Sequence, residues 1–146
     1  MKYGVNIPVR EKGFLTAQEI IELHEDVLKE KGCVYFSTSG RINPKKADEL
    51  DYLLLSNKFG IRILCEIVSY DYFPDKGVPS DSVEYSPKKF ADVPENHWFK
   101  VSTMENADSN YIGHLIPLNE RMKKEYSNVE NYINGTGRIQ VFYFRK

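Results

Sequence analysis

The order of apolar and polar positions predicts a short strand, one well-marked helix, and then a run of further strands with helices at its end. Residues 3–8, closed by Pro8, read as the first strand. Thr16 offers an N-cap, Glu19 completes a capping box, and Leu15 and Ile20 occupy the two staple positions. Ile20, Ile21, Leu23, Val27 and Leu28 supply the helix's apolar face, and Gly32 ends it after Lys29 and Lys31. Residues 33–38 read as a buried strand broken at Ser39-Gly40. Asn43-Pro44 predicts a second helix, with Ala47, Leu50, Leu53 and Leu54 at helical spacing as far as Gly60.

The second half is richer in punctuation. Residues 61–70 read as a long strand, residues 73–77 as a turn, and residues 74–96 as a polar, Pro-punctuated connection of a length that often carries function. Strands are expected over 98–104 and 111–116, and a helical stretch from Pro117 to Asn134-Gly135. Residues 138–145 read as a last strand, apolar on both faces and therefore covered on both. Asn134-Gly135-Thr136 matches a glycosylation acceptor but reads as a turn. The expected fold is α+β: a small mixed β-barrel with flanking helices, forming one domain over residues 1–146.

Composition narrows the class. At 146 residues, 41% hydrophobic and 28% charged, the chain has ordinary globular proportions and enough length for a real core. Its start lacks the apolar run of a signal peptide and no segment approaches a membrane span, so a cytoplasmic protein without a membrane partner is expected. Cys33 and Cys65 each sit in an apolar run, as reduced core thiols do. Neither clusters with His24, His97 or His114, so no metal and no cofactor is expected. With 20 basic against 21 acidic residues the net charge is −1, so any grip on nucleic acid must have a small footprint.

From Gly32 onward the order of features resembles the EVE domain of the PUA-like superfamily, to which YTH domains are related. Cys33-Val-Tyr-Phe-Ser-Thr-Ser39 resembles that family's strand ending in a small polar loop, and residues 60–68 its Gly-led strand. Tyr72-Phe-Pro-Asp75 resembles its aromatic-Pro-Asp turn, and Glu84-Tyr-Ser-Pro87 its Tyr-x-Pro element. Trp98-Phe-Lys-Val101 resembles a Trp-led strand, and Ile116-Pro-Leu-Asn-Glu120 the start of the late helix. The chain departs from the pattern at its start, Tyr3-Gly-Val-Asn6, and over residues 41–59, where many members have a short loop. The resemblance implies a PUA-like barrel whose mouth accepts one extruded base, modified in DNA or RNA. It also implies a setting in a larger restriction or defence complex.

A base reader offsets the cost of unstacking with aromatic contacts and hydrogen bonds to the base edge. The candidate base contacts are Asn6, Tyr35, Phe36, Ser37, Thr38, Ser39, Tyr72, Phe73 and Trp98. Strand alternation puts Tyr35 and Phe36 on opposite faces, so only one can face a pocket. Replacing Trp98 by Ala is expected to weaken binding by about 1–3 kcal/mol and leave the fold intact. Candidate phosphate contacts are Arg10, Arg41, Lys45, Lys46, Lys88 and Lys89.

No catalytic residue is assigned. Ser37, Ser39 and Cys65 lack the surroundings of a nucleophile, Glu25-Asp26 beside His24 read as a solvated face, and Gly135-Thr-Gly137 lacks the rest of a phosphate loop. The rival expectations are a non-catalytic protein-interaction or regulatory module, such as a phage or defence-system accessory, and a small nucleotide-ligand sensor.

Overall fold

The computed structural model of the protein describes residues 2–146. Its elements follow in the order β1 (Tyr3–Pro8), α1 (Ala17–Lys31), β2 (Val34–Thr38), α2 (Pro44–Ala47), β3 (Tyr52–Ser56), β4 (Arg62–Gly77) and α3 (Ser82–Tyr85). Then come β5 (Glu95–Val101), β6 (Glu105–Asn106), α4 (Ser109–Gly113), β7 (Ile116–Pro117), α5 (Glu120–Glu125), α6 (Val129–Gly135) and β8 (Phe142–Arg145). The fold is α+β. One sheet runs β2-β5-β4-β3-β1-β8-β7, with β6 attached to β4. β1 and β3 pair in parallel; the other pairings are antiparallel. The hydrogen-bonded path runs open from β2 to β7.

β4 joins the two halves of the sheet. Its first residues pair with β3, and from Ile67 onward it pairs with β5, with register shifts between Ile67 and Ser69 and between Tyr72 and Gly77. The turn expected at residues 73–77 is the second of these irregularities, inside the strand. α1 is capped as its sequence requires: Thr16 Oγ1 accepts from the Glu19 amide at 3.1 Å, and the Glu19 carboxylate accepts from the Thr16 amide at 3.2 Å. Such a cap contributes about 1 kcal/mol.

Two cores lie on opposite sides of the sheet. One, with Ile20 and Ile21 of α1, includes Val5, Ile7, Val34, Phe36, Leu53, Leu55 and Phe99. The other joins Tyr52, Leu54, Phe142 and Phe144 to Ile112, Leu115, Val129 and Ile133. This explains the main departure from expectation. The helix expected from Asn43 to Gly60 is one turn, α2, and the Leu53 and Leu54 that fitted it belong to β3. A strand covered on both faces is apolar at every position, and such a run cannot be told from a buried helix by periodicity. Likewise the strand expected at residues 111–116 is α4, capped by Asp108, followed by the two-residue β7. The late helical stretch divides into α5 and α6, and Asn134-Gly135 belongs to the end of α6.

Candidate base-binding cleft

β1, α1 and β2 converge at one end of the first core and leave a cleft of about 190 Å³. Ile7, Pro8 and Val9 come from the end of β1, Ile20 and His24 from α1, and Phe36, Ser37, Thr38 and Ser39 from the end of β2. Arg10, Lys12, Phe90 and Glu95 complete the lining. The volume lies below the roughly 300–1,000 Å³ of sites that enclose drug-sized molecules, so a single ring system is the scale it suits.

His24 is the polar group set deepest in this lining. It is buried, and its ring lies 5.0 Å from that of Phe36 and 5.2 Å from that of Phe90. Its Nδ1 lies 2.7 Å from the Ile20 carbonyl, which can only accept, so Nδ1 carries the proton and Nε2 holds a lone pair. Burial pushes its pKa down to about 4 against the backbone bond, and the ring is neutral at pH 7. At the mouth, the Ser39 hydroxyl donates to Glu95, which lies 3.9 Å from Lys12 Nζ. Thr38 Oγ1 accepts from the Gly40 amide at 3.1 Å. Lys12 Nζ sits 5.3 Å from the centre of the Phe90 ring, and Arg10 Nη2 donates to the Ile139 carbonyl at 2.7 Å. The arrangement offers an apolar aromatic wall, a neutral acceptor, hydroxyls, the Arg10 guanidinium and a Lys12–Glu95 ion pair.

The structure thus brings together Phe36, Ser37, Thr38, Ser39 and Arg10 of the residues singled out by sequence. It separates the others. Trp98 is fully buried, meets Tyr35 edge to face at 5.7 Å, and donates Nε1–H to the carbonyls of Gly77 at 2.9 Å and Glu95 at 3.2 Å. It is a core plug, and the expectation of an open stacking wall is corrected. Tyr35 is also buried on that face, its hydroxyl donating to Asp81 at 2.7 Å. Asn6 is fully buried, accepting from Ser56 at 2.7 Å and donating to the Gln140 carbonyl at 3.2 Å, so its amide ties β1 to β3 and to the lead-in of β8. Tyr72 is exposed and stacks on His97 at 5.3 Å, while Phe73 lies beside Gly77.

The cations also scatter. Arg41, Lys45, Lys88 and Lys89 are exposed away from the cleft lining, and Lys46 lies 5.1 Å from the Tyr143 ring beside a different groove. Of the long connection over residues 74–96, Phe90 and Glu95 line the cleft, while Pro79, Ser82, Ser86, Pro87 and Ala91 are buried, and Ser82 donates to the Ala91 carbonyl at 2.5 Å. Tyr35 and Phe73 border a shallow depression with Asp71, Asp81 and Lys100, whose ammonium donates to Asp81 at 2.8 Å. With its cation paired and Asp71 beside it, that depression does not favour an anion.

Sequence reasoning missed His24, Lys12 and Phe90. For His24 a signal existed: it lies four residues after Ile20, on the apolar face of a helix whose frame is fixed by Thr16 and Glu19. Lys12 and Phe90 carry no such signal. Cys65 is buried and burial raises its thiol pKa well above the usual range, so it is a poor nucleophile. No group of three or more potential metal ligands is found among the described residues, and no helix among them is long and apolar enough to cross a membrane. No protein-family model, curated protein or solved structure matches the chain.

Proposed function

We propose that the protein is a non-catalytic, cytoplasmic reader of nucleic acid, with a PUA-like, EVE- or YTH-type barrel fold, that accepts one extruded and modified base in the cleft beside His24. The observation that carries this reading is the convergence of Arg10, Phe36, Ser37, Thr38 and Ser39 on one cleft together with a buried, neutral imidazole. A flat base gains apolar contact from Phe36 and Phe90. The lone pair of His24 Nε2 accepts from a ring N–H or an exocyclic amine, and Arg10 at the mouth favours the attached phosphate. The near-neutral chain suits the recognition of one nucleotide better than a long phosphate track.

The test is a binding panel of nucleosides and of single- and double-stranded DNA and RNA oligonucleotides, with and without methylated bases. It compares the natural protein with Thr38→Phe, which fills the cleft. Binding of at least one panel member, weakened tenfold or more in a Thr38→Phe protein that unfolds at its usual temperature, supports the reading. Unchanged affinity in that folded variant, or no binding anywhere in the panel, overturns it. A wholly negative panel would select a second reading, a protein-interaction module within a larger complex, which the net charge of −1 also suits.

A further inference from the structure

Beside the cleft lies a second groove of about 630 Å³, whose lining includes Arg10, Lys58, Phe59, Arg138 and Ile139. The two hollows share Pro8, Val9 and Arg10, so they adjoin along the end of β1. Phe59 is 94% exposed. It does not hang on a loose loop: Asn57 Oδ1 accepts from the amides of Phe59 and Ile61, each at 2.9 Å, and Gly60 holds a φ of 106° that a side chain would resist. The neighbouring loop presents Phe14 in the same manner. Backbone bonds of 3.0 Å in both directions close Lys12 onto Leu15, Gly13 has φ 61°, and Phe14 is fully exposed at the tip.

A phenyl ring held in water by a fixed turn forgoes roughly 1.5–3 kcal/mol of burial, so its rigid presentation points to a partner that covers it. The groove's charge limits what that partner is. Arg10, Lys58 and Arg138 face one acid, Glu11, which makes this strip cationic on a chain whose net charge is −1. The Lys58 ammonium donates to the Thr136 carbonyl and fixes the 57–60 turn beside the 136–138 segment. A cationic strip with one exposed ring matches an unpaired nucleotide, whose base offers a free face and whose phosphate offers the charge.

We propose that this groove binds the nucleotide next to the one read in the cleft, on a single strand. Phe59 stacks on its base, Arg10 bridges the two positions, and Lys58 and Arg138 meet the phosphates. The inference rests on the base-reader interpretation and adds the strandedness of the ligand and its path from the cleft into the groove. Duplex nucleic acid does not fit, because its base faces are already stacked.

The probes are fluorescein-labelled ten-nucleotide DNA and RNA single strands, the matching duplexes, and free nucleosides. Phe59→Ala is expected to weaken ten-mer binding about tenfold and leave nucleoside binding unchanged, while Phe59→Trp retains ten-mer affinity. Lys58→Ala with Arg138→Ala is expected to flatten the dependence of log Kd on log salt by about 1.4, at about 0.7 per phosphate. Ten-mer affinity indifferent to Phe59→Ala, or duplexes bound as well as single strands, overturns this groove. If nucleosides still bind and still lose affinity in Thr38→Phe, the cleft survives that result. Ten-mer binding that depends on Phe59 but not on the cleft does the opposite: the groove stands and the cleft falls. Absence of ten-mer and nucleoside binding removes both.

Discussion

On one side of the β2–β5 pair, Trp98 and Tyr35 meet edge to face, and the indole N–H and the phenol O–H both end on acceptors within the chain. On the other side Phe36 and Phe90 surround His24, whose Nδ1 is engaged and whose Nε2 is left as an acceptor beside a cleft. Strand alternation delivers aromatic residues to both faces alike. What differs is the satisfaction of polar groups. Where donors and acceptors satisfy one another the aromatic cluster is architecture, and where one remains uncommitted beside open space the cluster can receive a ligand.

The largest test of that contrast is Trp98→Ala. Removing a fully buried indole is expected to cost about 3–5 kcal/mol in urea denaturation, because the cavity cannot collapse between β5, Tyr35 and the Gly77 backbone. A loss under about 1 kcal/mol would mean that the ring is not packed as described and would reopen this face as a site.

The next effect is a pH dependence from His24. Its pKa is about 4 in the folded chain against 6.5 ordinarily, so between those values the unfolded state binds more protons. Stability from this group is full above pH 6.5, falls as pH drops toward 4, and changes no further below that, for a total of about 3 kcal/mol. His24→Gln is expected to flatten the stability profile within this window. A slope that survives the substitution would assign the dependence to other groups and take the neutral imidazole out of the cleft.

The smallest effect belongs to the sealed face. Asp81 accepts from Tyr35 and Lys100, and the Lys100 ammonium also lies 4.2 Å from the Tyr85 ring. The hydrogen bond from Lys100, then that from Tyr35, keep the carboxyl below its usual range against its partial burial. Because Asp81 is more than a third exposed, Asp81→Ala is expected to cost only about 1–2 kcal/mol. Ligand affinity in the cleft should not change; a fall measured by titration would show that the two faces are coupled.

The elements most legible in the sequence are those with local causes. Thr16 with Glu19 fixes the start of α1, and the run from residue 33 to 38 marks β2 and the opposed faces of Tyr35 and Phe36. The cleft is legible only in part. Phe36, Ser37, Thr38 and Ser39 are contiguous and can be proposed together, whereas Phe90 lies far along the chain and His24 resembles a solvated neighbour of Glu25. Trp98 is misplaced by sequence reasoning because a tryptophan that opens a strand looks the same whether its ring faces a pocket or a core.

The sequence by itself determined the caps of α1 and the pleat of β2, because these depend on residues within a few positions of one another. Only the tertiary structure decided that residues 52–56 form a strand, since their apolar run gains its meaning from cover on both faces by β-sheet neighbours and helices. It alone closed the Ser56–Asn6 bond across 50 residues and set His24 against Phe90. Burial depends on what the whole chain packs against a residue, and no short stretch of sequence contains that information.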